Sequence, residues 1–84
     1  MRITLKLFAT LTAHLPGEAR RAGLVELQVD PGTTVLALIE QRGLPPSLCT
    51  LVLVNGLYVA PADLANCRLN EGDVLAIWPP VGGG

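Results

Sequence analysis

The sequence predicts an α+β fold: a mixed sheet of four or five strands with one main helix packed across it. Three observations lead there. Two segments near the N-terminus alternate apolar and polar residues at the period of a strand. A later segment between Thr34 and Gly43 repeats apolar residues at helical spacing. The chain then ends in short apolar runs, the last of which stops at Pro79-Pro80. One helix laid across one sheet is the smallest two-layer arrangement that buries both apolar faces, and 84 residues leave room for little more. We expect one domain over residues 1–80 and a flexible glycine tail over 81–84.

Each element has a local reason. In Arg2 to Phe8, Ile3, Leu5 and Leu7 face one way and Arg2, Thr4, Lys6 and Phe8 the other, which is a half-buried strand. Ala9 to Leu15 reads as a weak helical turn or loop closed by Pro16-Gly17, and Glu18 to Gly23 as a polar, mobile stretch. Leu24 to Asp30 alternates again with Val25, Leu27 and Val29 inward, and should pair with the first strand as a wide hairpin. Thr34 is a suitable N-cap for a helix carrying Val35, Leu38 and Ile39, because its hydroxyl can accept from an early helical N–H. Gly43 closes this helix after about three turns, and Pro45-Pro46 prevent its return.

Leu51 to Val54 is apolar on both faces and reads as a well-covered strand. Asn55-Gly56 is a tight-turn signal that returns the chain through Leu57-Tyr58-Val59, with Leu57 and Val59 inward. Ala62 to Leu69 is irregular, with room for one helical turn. Asn70 to Asp73 is a turn feeding the last strand, Val74 to Trp78. The first and last strands are the best candidates for the centre of the sheet.

Composition excludes several function classes. The net charge is −1 and the basic residues cluster nowhere beyond Arg20-Arg21, so nothing points to nucleic acid. No apolar run is long enough for a membrane span, and no signal-peptide pattern opens the chain. We expect a soluble, cytoplasmic protein. Cys49 and Cys67 fit no metal or redox spacing and read as structural, reduced thiols. His14 has no recognisable nucleophilic partner, and Asp63, Glu71 and Asp73 suit turns better than catalysis, so no metal site is expected. Half of the residues are hydrophobic. A domain of this size buries only roughly 60–65% of its unfolded surface, so some apolar side chains should remain outside as a partner surface. By parity Phe8, Tyr58 and Trp78 all leave the core. We expect them to form one docking patch on the outer face of the sheet, near the root of the tail.

The tail carries the chemistry. Val74 to Trp78 launches it, Pro79 and Pro80 stiffen it, and Val81, Gly82, Gly83 and Gly84 make it thin enough to thread a narrow channel. That geometry suits a chain whose terminal carboxylate is the working group. The stretch Ile77-Trp78-Pro79-Pro80-Val81-Gly82-Gly83 resembles the C-terminal signature of the small subunit of molybdopterin synthase, the MoaD-like branch of the ubiquitin-like sulfur carriers. Leu7-Phe8-Ala9, Thr34-Val35, Val54-Asn55-Gly56 and Glu71-Gly72-Asp73 match the same family in order, so the resemblance covers nearly the whole chain. The chain departs from the pattern in an insert around Pro16 to Gly23, in Trp78 where phenylalanine is frequent, and in its third glycine.

The resemblance implies a ubiquitin-like β-grasp fold and a non-catalytic role as small subunit and sulfur donor. An adenylating enzyme of the ubiquitin-activating type (MoeB-like) would use ATP to activate the carboxylate of Gly84 and convert it to a thiocarboxylate. The large synthase subunit (MoaE-like) would then receive the tail and pass sulfur to a pterin precursor, toward a molybdenum or tungsten cofactor. The carrier itself would bind no cofactor. The third glycine leaves two candidate mature ends, Gly83 and Gly84. The alternatives are a sulfur carrier of another pathway, such as a thiamine-like one, and a ubiquitin-like modifier or interaction module.

Overall fold

The computed structural model describes residues 1–80; Val81, Gly82, Gly83 and Gly84, on which the tail and its carboxylate fall, lie outside the described residues. The chain runs β1 (Arg2–Leu7), a 3₁₀ turn (Ala9–His14), α1 (Ala19–Ala22), β2 (Leu24–Gln28), α2 (Val35–Gln41), β3 (Leu51–Val54), β4 (Leu57–Tyr58) and β5 (Val74–Trp78). The strands form one mixed sheet in the order β2-β1-β5-β3-β4. β1 pairs antiparallel with β2 and parallel with β5, and β3 pairs antiparallel with both β5 and β4. The last strand is therefore the central one, with the first beside it, as the sequence predicts.

The core lies between the inner face of the sheet and α2. Ile3, Leu5 and Leu7 of β1, Leu75 and Ile77 of β5 and Val52 of β3 are buried together with Val35, Leu38 and Ile39 of the helix. Val25, Leu27, Val29 and Val54 pack against this cluster from its margin and are half-buried. Leu11, from the 3₁₀ turn, and Leu15, Leu44 and Leu69, from connecting segments, are also buried.

α2 is bounded as its sequence indicates but is two turns long rather than three. The Thr34 side chain accepts from the Ala37 N–H at 3.1 Å and starts it. Gly43, with φ +69°, ends it. The Gly43 N–H donates to the Glu40 carbonyl and the Leu44 N–H to the Ile39 carbonyl, both at 3.1 Å. These paired bonds fold the chain back after Arg42 and set Leu44 into the core, which fixes the helix length.

Two segments differ from expectation. Glu18 to Gly23, expected to be a mobile polar stretch, contains α1, closed by Gly23 at φ +76° with its N–H on the Ala19 carbonyl at 2.7 Å. The Gly23 carbonyl in turn accepts from the Leu7 N–H at 3.0 Å, which ties the insert to the end of β1. Leu57, expected inward, is 73% exposed, because β4 is the edge strand and lies beyond the core cluster.

Candidate functional site

The described part of the tail begins at a fixed point. β5 is held on both sides, and its last ladder contacts are the Phe8 N–H to the Ile77 carbonyl at 3.2 Å and the Thr50 N–H to the Trp78 carbonyl at 3.0 Å. Pro79 follows with no N–H to extend the ladder. The root of residues 81–84 is thus anchored by backbone bonds to both neighbouring strands, two residues before the glycine-rich segment starts.

Beside this root two aromatic rings meet. Phe8 and Trp78 stack with centroids 3.7 Å apart and planes within 2° of parallel. Ala9, in the left-handed region at φ +52°, turns the chain away directly after Phe8. Register places both rings on the outer face: Leu7 is opposite the buried Ile77, so the next residues on each strand point the other way. Tyr58 shares this face through its pairing with Leu53, which is opposite Ala76. It does not join the stack, because β3 stands between β4 and β5. The three aromatics are instead the two ends of one apolar band. Leu51, opposite Trp78 in the register, and Leu53 bridge the gap.

The band extends what the aromatics alone would suggest. Leu51 and Leu24 are 38% and 39% exposed, much like Trp78 at 39%, and Tyr58 is 59% exposed. Leu51 to Val54 is therefore not covered on both faces, contrary to its apolar composition. The long helix α2 covers one face of the sheet, and among the described residues the other face has only the four-residue α1 at its margin. The register of Leu51 with Trp78 was the missing signal, since it depends on strand pairing that composition does not give.

The acidic residues do other work. Asp73 is buried and accepts from Asn55 Nδ2 at 2.9 Å and from the Asn70 N–H at 2.8 Å, while Asn55 Oδ1 accepts from the Val74 N–H at 2.9 Å. This clamp joins the β3–β4 turn to the turn before β5. Glu71 accepts from the Arg2 N–H at 3.1 Å. Burial pushes the Cys49 thiol up, away from the reactive thiolate, and both cysteines are free. His14 is exposed. Among the described residues no three His, Cys, Asp or Glu side chains converge as a metal site would need, and no helix is long and apolar enough to cross a membrane.

The sequence model of the ThiS family matches residues 13–84. No curated protein matches the chain by sequence. Among solved structures, SAMP1 from Haloferax volcanii has a TM-score of 0.68 at 28% identity, over 100% of both chains. A structure of the small archaeal modifier protein 1 from the same organism has a TM-score of 0.63 at 28% identity, over 95% of this chain and 98% of that one. A chain in the complex of subunits 1 and 2 of the molybdopterin-converting factor from Helicobacter pylori 26695 has a TM-score of 0.60 at 22% identity, over 100% of both. These neighbours share the ubiquitin-like β-grasp seen here.

Proposed function

This chain belongs to the ThiS family, and on that premise we propose that it is a sulfur carrier serving as the small subunit of a molybdopterin synthase. The carboxylate of the final glycine attacks the α-phosphate of ATP on a partner adenylating enzyme, and pyrophosphate leaves. A sulfur nucleophile then displaces AMP and leaves a thiocarboxylate. The large synthase subunit takes the tail and transfers the sulfur to a pterin precursor. ATP is consumed in the partner's site, and the carrier contributes the reactive end and the handle that positions it. Glycines without side chains allow a channel narrow enough to keep water from the adenylate and the thiocarboxylate.

The observation that carries this reading is the anchored root. The central strand delivers Pro79-Pro80 and the glycines from a point held by Thr50 and Phe8, with an uncovered apolar band beside it. The test is incubation with ATP, a sulfur source and candidate adenylating enzymes, followed by intact mass. Replacement of one oxygen by sulfur at the C-terminus supports the carrier. A conjugate to lysines of other proteins, without thiocarboxylate, supports the second reading, a ubiquitin-like modifier. The likeness to the archaeal modifier protein at 28% identity favours keeping that reading.

The aromatic band gives a separate prediction. Trp78→Ala removes the larger half of the stack and a side chain 39% exposed. Aromatic hot spots contribute roughly 2 kcal/mol or more to docking, so affinity for the large subunit should fall about thirtyfold. Titration calorimetry measures it, with circular dichroism to check the fold. Unchanged affinity in a folded variant would remove the band from the interface.

A further inference from the structure

The insert from Pro16 to Gly23 departs from the family pattern, and the structure gives it a place. α1 packs at the end of the β1–β2 pair and opens a cleft of about 370 Å³ against the outer face. Lys6, Arg20 and Arg21 line it together with Phe8 and Leu24. Three of the six cationic side chains in a chain of net charge −1 thus converge on one cleft. Among the described residues no carboxylate lines it; Glu18 lines a second, neighbouring cleft with Arg20 and Arg21. Among the described residues the one ion pair is Arg2 with Glu26, so within them none of the three cations lies within 4.0 Å of a carboxylate. Arg20 is held in place by its Nε, which donates to the Leu15 carbonyl at 2.9 Å.

We propose that this cleft is a specificity pocket that receives a carboxylate-bearing segment of the protein docking on the apolar band. The proposal rests on the docking face described above and adds the chemistry of the partner. Phe8 belongs to both surfaces: it stacks on Trp78 and lines the cleft. A partner seated on the stack therefore places its next residues over Lys6 and Arg21. Acidic side chains there gain charge-assisted bonds, bidentate where they meet a guanidinium. A phosphate is the poorer fit. Phosphate sites gather backbone N–H groups at a helix N-terminus, whereas α1 turns its C-terminal end, Ala22 and Gly23, to the cleft. Charges at the rim of an interface set partner choice and association rate, so the insert distinguishes partners that share one apolar footprint.

The test uses the full chain, isotope-labelled for NMR. One probe is a short synthetic peptide alternating glutamate and leucine; the other has glutamine in place of glutamate. The glutamate peptide should shift the amides of Lys6, Phe8, Arg21 and Gly23, and the glutamine peptide should not. Arg21→Glu should weaken binding about tenfold, Lys6→Gln should weaken it less, and both effects should fade in high salt. Arg42→Glu, on a cation outside the cleft, should leave it unchanged. Equal response to the two peptides, or equal loss in Arg42→Glu, overturns the proposal. So does a stronger response of the same amides to ATP or inorganic phosphate at equal concentration, which would make the cleft a small-anion site. Arg21→Glu and Trp78→Ala are then each titrated with the large synthase subunit. If Trp78→Ala weakens that complex and Arg21→Glu does not, the docking face stands and the cleft is refuted; if neither does, the docking reading itself has failed.

Discussion

A chain lacking Gly83 and Gly84 should melt as the full chain does and yield no thiocarboxylate. The core among the described residues closes at Ile77, so removing these glycines takes nothing from it. Activation is another matter. An extended residue spans at most ~3.3–3.6 Å, so the truncation withdraws the carboxylate by about 7 Å. The root cannot follow, because the Trp78 carbonyl is bound to Thr50 and β5 is paired on both sides. Misplacing reacting groups by ~1 Å can cost on the order of a hundredfold, so a shift several times larger should leave no measurable product by intact mass. Removal of Gly84 alone separates the two candidate ends. Loss of activity assigns the sulfur to Gly84; retained or raised activity assigns it to Gly83. Full activity without either glycine would take away the carrier's working group and leave the modifier as the better reading.

The second large effect is on folding. Leu38→Ala should destabilise the domain by about 2–5 kcal/mol, as truncation of a buried leucine does. Leu38 is 1% exposed and sits on α2, which supplies Val35 and Ile39 to the same cluster. At about 0.05–0.15 kcal/mol per residue, a domain this small holds only about 4–13 kcal/mol in all. The variant should lose at least about 8 °C in Tm, since a small domain shifts by about 4–8 °C per kcal/mol. Thermal and urea melts measure this. Leu48→Ala, at a leucine 36% exposed, is the matched control and should shift little. Equal shifts in the two variants would contradict the packing described for α2.

β1 and β2 were legible because their side chains alternate strictly, as from Arg2 to Leu7, and β3 and β5 because they are short apolar runs bounded by turn residues and prolines. The bounds of α2 were legible because Thr34 and Gly43 act through their own backbone neighbours. Other features depend on residues far apart in sequence. Leu44 and Leu69 are buried by what packs over them, and single leucines in connecting segments have no period to reveal it; Leu11 and Leu15 stand one helical turn apart, too short a pattern to mark a core. α1 is only four residues, Ala-Arg-Arg-Ala, with no apolar stripe, so it reads as polar loop until its closing glycine is seen bonded to Leu7. The aromatics left the core as their parity requires, yet parity says nothing about which strand lies between them. Tyr58 is consequently separated from the Phe8–Trp78 pair by β3. The anchoring of Ile77 and Trp78 by Phe8 and Thr50 is likewise a matter of strand pairing that the sequence alone does not give.

The place of β5 also bears on how the protein is made. Among the five described strands β1 is translated first, and its parallel neighbour, from Val74 to Trp78, last. Until then the nascent sheet consists of two separate hairpins, β1–β2 and β3–β4, with nothing joining them. Two-stranded hairpins are marginal in water, and contacts between distant residues form late because the loop between them must first close. A chain that ends before Val74 therefore cannot close its sheet. Native structure is reserved for chains whose synthesis has passed β5.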